Sequence, residues 1–274
     1  MMPQGIRKAA VAGSFYPERC REIRRYIREF NAAFDRLSIK KEILDIRPGA
    51  IIVPHAGYIY SGFTANFAYR FLKHTKPKRI IVIGPSHHYY FKGISAGHFE
   101  NFETPCGEIE IDNPYLFALA KEFNIGFDPK AHEKEHSTEV QMPFIQHYFP
   151  KAKVIELVYG DVPAKELALI ITALLKNPDN AVVISSDLSH FYPLEKAEKL
   201  DRNCLRAVVK LDMNELKGCE ACGITGITAM ILAARKLGLS SKLLDYSTSA
   251  KTTHDESSVV GYMSAIFYYP DKKH

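Results

Sequence analysis

Three apolar runs that each end on histidine constrain this chain more than any other feature. They are Ala50-Ile-Ile-Val-Pro-His55, Arg79-Ile-Ile-Val-Ile-Gly-Pro-Ser-His-His88 and Ala181-Val-Val-Ile-Ser-Ser-Asp-Leu-Ser-His190. Short runs rich in β-branched residues, with no polar alternation, fit strands covered on both faces. Each run passes directly into Pro, Gly or Ser and then into polar side chains. In an open α/β sheet, ligands bind outside the carboxyl ends of the strands. The three polar ends therefore sit where such a fold places chemistry.

The rest of the chain supplies helices for those strands. Apolar spacing predicts helices over 18–36, 63–74, 114–123, 163–176, 193–210 and 223–237. Further strands are predicted over 153–159, 241–247 and 258–268, and Glu108-Ile-Glu-Ile-Asp112 alternates like a strand with one wet face. Ala56 to Gly62 reads as a loop. Glu135 to Phe144 opens another helix, with Thr138 and Gln141 spaced as a capping box and Pro143 near its first turn. Strands alternating with helices predict an α/β fold, a central and mostly parallel twisted sheet with helices on both faces. The 274 residues suit one domain, and no repeat or linker divides them.

Composition narrows the function classes. Charged residues are 24% of the chain and the net charge is +5, with no long basic block, so nucleic-acid binding is not favoured. No stretch approaches the ~18 apolar residues of a membrane span, and the first residues lack an apolar signal region, which predicts a soluble, cytoplasmic protein. Five cysteines, an odd number widely scattered at 20, 106, 204, 219 and 222, argue against a disulfide framework. Absent Trp with abundant Lys, Arg and Glu leans toward a thermophile.

Among the histidines, His55, His88 and His190 stand apart because each follows a predicted strand in a turn. His74, His98, His132, His147 and His274 read as ordinary core or surface residues. Two histidines with one anionic ligand is a donor set that holds Fe(II). Cys219-Glu-Ala-Cys222 has the spacing of a redox couple or half a zinc site. Cys222 also precedes Gly223 and a helix, and a helix N-terminus favours the thiolate, a metal ligand. Asp187 and His190 suit an acid/base pair in which the carboxylate orients the imidazole, or Asp187 caps a turn. A serine hydrolase is disfavoured because no G-x-S-x-G elbow is present. His136, between Glu135 and Glu139, would hydrogen-bond a substrate or order the helix start.

Six blocks together carry a family resemblance. Ala12-Gly-Ser-Phe-Tyr16, Val53 to Gly62, Gly84-Pro-Ser-His-His88, Glu135-His-Ser-Thr-Glu139, Ser185 to His190 and Cys222-Gly223 resemble, in order, the signature blocks of the Memo family. The resemblance implies one Memo-like domain over 1–274, similar in fold to class III extradiol dioxygenases, which are non-haem iron enzymes. It implies a metal site of His55, His88 and Cys222, with His88 rather than His87 taken from the pair, and Asp187, His190 and His136 as catalytic neighbours. The implied metal is iron or copper, with zinc an alternative. A thiolate where the dioxygenases keep a carboxylate is softer and favours Cu(I) or Zn over Fe(II). It also makes the CxxC spacing incidental. The implied activity is oxidase- or dioxygenase-like. The alternative is a non-enzymatic protein whose cleft captures phosphotyrosine-like or carboxylate-bearing peptides. Expected partners are a small-molecule or peptide ligand and, by family association, AMMECR-type and radical-SAM proteins.

Overall fold

The computed structural model describes residues 3–270, so His274 lies outside the described residues. In chain order the elements are β1 (Ile6–Arg7), α1 (Cys20–Phe34), α2 (Lys41–Leu44), β2 (Ala50–Val53), α3 (Tyr58–Leu72), β3 (Arg79–Pro85), β4 (Ile94–Ala96), β5 (Asn101–Thr104), β6 (Gly107–Glu110) and α4 (Asn113–Phe123). Then follow α5 (His136–Glu139), α6 (Met142–Tyr148), β7 (Lys153–Tyr159), α7 (Ala164–Leu175), β8 (Asn180–Ser185), β9 (His190–Tyr192), α8 (Leu194–Lys210), α9 (Ile224–Leu237), β10 (Ser240–Thr248), α10 (Ala250–Thr253) and β11 (Val259–Tyr268).

The main sheet runs β10-β11-β2-β8-β3-β7-β4, with β9 paired to β11. Its centre, β2-β8-β3-β7, is parallel, as the unbroken apolar runs predict. The margins are antiparallel: β11 against β2, β10 and β9, and β4 against β7. The sheet is thus mixed, with parallel pairing confined to its centre. Every residue of β2 and β8 is buried, so both faces of these strands are covered. Helix α3 packs on β2, β10 and β11, whereas α7 and α9 lie together and contact β8. A smaller sheet, β1-β5-β6, stands apart. No described helix is long and apolar enough to cross a membrane.

Three local expectations change. Helix α3 begins at Tyr58, inside the stretch expected to be a loop. Its N-cap, Gly57, offers no side chain, but the Tyr58 N–H donates to the Phe15 carbonyl, so a remote segment caps the helix. The helix expected from Glu135 splits into α5 and α6, and the Thr138–Gln141 capping box does not form. The cap is Glu135, which accepts the Ser137 N–H, while the Thr138 hydroxyl turns to Glu156 and the Gln141 amide to the Pro54 carbonyl. The cysteines pair as Cys20–Cys106 and Cys204–Cys219, leaving Cys222 free. Parity and scatter could not reveal these bonds, because the fold brings residues 86 apart in sequence together. The second bond also removes Cys219 from any CxxC couple.

Helix α5 is polar yet buried, and its neighbours satisfy it. Glu139 is fully buried and accepts from Arg7 Nη1 at 2.7 Å, Tyr16 Oη at 2.7 Å, Val11 N at 2.8 Å and Ala10 N at 2.9 Å. It thereby ties residues 7–16 to the core. Glu156, in the middle of β7 and also fully buried, accepts from Thr138 Oγ1 and lies 2.8 Å from His132 Nδ1. Gly84 lets α5 approach β3, since a Cβ there would stand 2.5 Å from Ser137 Oγ.

Removing one partner of a buried pair leaves an uncompensated charge, so Glu139→Ala should cost about 3–5 kcal/mol in denaturant unfolding. A loss under about 1 kcal/mol would show the pair to behave like an exposed one. Burial resists ionisation of Glu156, but the charge and hydrogen bond of His132, the Arg7 charge and the Thr138 hydroxyl outweigh it and hold its carboxyl below the ordinary 4.5. A depressed carboxyl stabilises the fold above its unfolded pKa and loses that contribution as pH falls through its folded value. Glu156→Gln should therefore lower stability at neutral pH and flatten its fall below pH 4.5, as read from unfolding free energy against pH. An unchanged acid limb would contradict this.

Candidate metal centre

The parallel centre of the sheet assembles the site. His55, Asp187 and His87 each lie two residues beyond the last residue of β2, β8 and β3, respectively. These three strands are neighbours in register, with Val53 opposite Ser185 and Ile83 opposite Ile184. Strands about 4.8 Å apart bring equivalent post-strand positions to one edge. Helix α5 adds His136 there, and one ligating nitrogen from each of His55, His87 and His136 lies within 4.8 Å of the others.

The hydrogen bonds fix the protonation of His55. Gln141 Nε2 donates to the Pro54 carbonyl and to Ser185 Oγ, at 2.9 and 3.0 Å. Ser185 Oγ spends its one proton on the Ser137 carbonyl. His55 Nδ1, 2.9 Å from Ser185 Oγ, must then be the donor. Its Nε2 keeps a free lone pair, facing Cys222 Sγ at 3.3 Å. Burial first, then the charges of His87 and His190, lower the His55 pKa to about 3 against the opposing pull of Glu135. The ring is neutral at pH 7.

His87 is oriented by Glu135, which accepts its backbone N–H at 2.6 Å and its Nδ1 at 2.8 Å. A carboxylate only accepts, so Nδ1 carries the proton and Nε2 is free. This carboxylate–histidine arrangement is the one that orients metal-ligating imidazoles. Burial resists ionisation of Glu135, but the bonds and charge of His87 and the Ser137 N–H bring its carboxyl down to about 2. His136 has a buried Nδ1 with no hydrogen-bond partner. Burial, then the charges of His55 and His87, lower its pKa to about 3. The Phe15 ring lies against it, centroids 4.7 Å apart.

The histidine of the pair that joins this group is His87, where the resemblance favoured His88. Both residues of the pair are exposed, but His88, with its ring 5.6 Å from that of His136, is not in the three-nitrogen group. Both residues lie in the bend after β3, and the two bonds to Glu135 turn the His87 ring toward the other two histidines. Sequence reasoning passed over His87, and gave Glu135 no task beyond standing beside His136. The usable signal was the shared offset of two residues past the strand ends, hidden because the strand limit at Pro85 was not legible.

Cys222 enters the same edge from the start of α9. Its Sγ accepts the Asp187 N–H at 3.3 Å. Gly223 makes this approach feasible, because a Cβ there would stand 2.6 Å from Ser186 Cβ. Its surroundings oppose the expected thiolate. Burial, then the Asp187 charge, push the thiol up to about 12, outweighing the hydrogen bonds that favour the anion. With His55 down at about 3, the two form a neutral thiol–imidazole pair rather than an activated nucleophile.

Asp187 also works differently from expectation. Its Oδ1 accepts the His55 and Ala56 N–H groups at 2.7 and 3.3 Å, which holds the turn after β2, and no hydrogen bond joins it to His190. Burial raises its carboxyl above the ordinary range against those bonds and the His190 charge. His190, half-buried in β9 opposite Val260, is near enough for its charge to act on both His55 and Asp187. The charged groups acting on His55 and His136 are other histidines and Glu135, with no lysine or arginine among them.

Comparison with known proteins identifies the family. The family described as Memo-like protein matches residues 7–266. A MEMO1 family protein of Aquifex aeolicus is 37% identical over 273 residues, covering 96% of this chain and 99% of that protein. One from Saccharolobus islandicus is 34% identical over 280 residues, covering 95% and 99%. Another from Thermoplasma volcanium is 32% identical over 272 residues, covering 95% and 98%. A crystal structure of the uncharacterized protein JW3007 from Escherichia coli K12 is a looser likeness, with TM-score 0.46 and 14% identity over 80% of this chain and 100% of that one. With nearly its whole length matched, this chain belongs to the Memo family.

Proposed function

We propose that this protein binds a first-row transition metal (iron, copper or zinc) through His55, His87 and His136, with Cys222 as a further donor and redox chemistry on a small ligand as the resulting activity. The observation that carries the proposal is the group of three imidazoles within 4.8 Å, two of them turned by Nδ1–H bonds so that Nε2 is free. Neutral imidazole suits all three metals, and thiolate is the softer donor. The buried Nδ1 of His136, 3.5 Å from Glu135 Oε1 and without a hydrogen bond, adds to the fit, since a bound metal would satisfy it. When bound, the metal would supply a Lewis acid with access to oxidation–reduction. His190, half-buried at the edge, would exchange protons with the ligand, and Asp187 would hold the His55 turn. Capture of anionic peptides by this cleft has less support, because imidazoles neutral at pH 7 offer no positive charge.

Untagged protein prepared without chelator should bind about one metal per chain by elemental analysis and calorimetry. His55→Ala and His87→Ala should each weaken binding by about 100-fold or more, as loss of a donor does, whereas His88→Ala should leave it intact. Retention in His87→Ala with loss in His88→Ala would overturn the donor set. Binding to Cys222 must also displace the thiol proton. Between pH 6 and 8, well below a thiol at about 12, affinity should then rise about tenfold per pH unit. That slope should fall in Cys222→Ala. Equal slopes in the two proteins would remove Cys222 from the donors.

A further inference from the structure

Cys222 lies near the end of a long connection, 211–223, between α8 and α9. Downstream it is well seated, with the Gly223 N–H donating to Ser186 Oγ at 3.0 Å and α9 beginning at once. Upstream the attachments are of a different kind. Glu215 pairs with Arg206 and Lys210, whose side chains are about half exposed, and Asn203 Nδ2 donates to the Gly218 carbonyl at 2.8 Å. Exposed ion pairs of this kind hold little. The strong attachment is the disulfide from Cys219 to Cys204, which is fully buried in α8. Two residues separate Cys219 from Cys222, so with Cys219 fixed the Cα of Cys222 stays within about 10 Å of it, at 3.3–3.6 Å per residue.

We propose that the Cys204–Cys219 disulfide is a redox-sensitive tether that positions Cys222 in the cleft, an inference that rests on the reading of Cys222 as a donor. Cys219 is half-buried and Cys204 fully buried, so Cys219 is the end of the disulfide nearer to a small dithiol in solvent. The reductant's thiolate attacks Cys219 Sγ, and Cys204 leaves and takes a proton. The reductant's second thiol then attacks the mixed disulfide, forming the reductant's own disulfide and releasing Cys219 as a thiol. Two electrons and two protons pass to the protein, and the dithiol is oxidised. Accessible disulfides are the labile ones. Once this one opens, the connection loses its covalent anchor upstream and keeps the exposed pairs, one amide bond and the partly buried side chains of Met213, Leu216 and Ala221, and Cys222 is freer to leave Asp187 and His55.

The test uses the metal-free full chain as C20S/C106S, so that one disulfide remains. Iodoacetamide modification of Cys222 is timed by mass spectrometry of its peptide in the oxidised, dithiothreitol-reduced and reoxidised protein. Reduction should speed modification at least about tenfold, the signature of local opening, and reoxidation should reverse it. C204S/C219S should be fast throughout while keeping its near-ultraviolet circular dichroism. Equal rates in all states would show that Gly223 and α9 seat Cys222 unaided and would overturn the tether. Cobalt(II) supplies the second readout. A sulfur-to-cobalt absorption band that weakens on reduction supports tether and donor together. Rates that respond without such a band in any state leave the tether standing and remove Cys222 as a donor.

Discussion

The site depends on burying a polar five-residue turn, Glu135-His-Ser-Thr-Glu139, and satisfying nearly every group in it. Desolvated carboxylates are costly unless fully hydrogen-bonded. Glu139 meets that condition with donors from the first residues of the chain, and Glu135 with donors from the loop after β3. The Ser137 hydroxyl donates to the Pro85 carbonyl, and the Thr138 hydroxyl to Glu156. One short helix is thereby fastened to β3, β7 and the N-terminal segment. The His136 Nδ1 is the exception, a buried nitrogen without a partner. An unsatisfied atom within an otherwise complete network points to a ligand rather than to poor packing.

The same economy decides proton positions. His55 and His87 are both obliged to donate through Nδ1, one because Ser185 has no proton left and the other because Glu135 can only accept. One ring nitrogen of each lies within 4.8 Å of one from the third imidazole. Burial lowers the pKa of His55 and of His136 to about 3, which preserves the lone pairs of those two rings.

Burial and neighbours also sort the cysteines. Four are paired, and Cys222 remains as a half-buried thiol against His55. A helix start alone would favour its anion, but desolvation is the larger effect at this depth. Proximity to a helix terminus is therefore a poor guide to thiolate character when the sulfur is removed from water.

By itself, the sequence determined the β-branched strands, the helices between them and the parallel centre of the sheet, because these follow from local periodicity. It also determined that polar strand ends would meet, since parallel neighbours share an edge. His55 and Asp187 were legible on that basis, and Cys222 by its place just before a helix. Only tertiary structure decided which histidine of the pair turns inward, because Glu135 makes that choice from nearly fifty residues away in the chain. It decided the antiparallel margins, the disulfides and the cap on α3 for the same reason, as each joins residues remote in sequence. It set Asp187 against the turn after β2 and placed Cys222 where burial opposes the thiolate, because hydrogen-bond partners and desolvation belong to a three-dimensional environment that residue order does not encode.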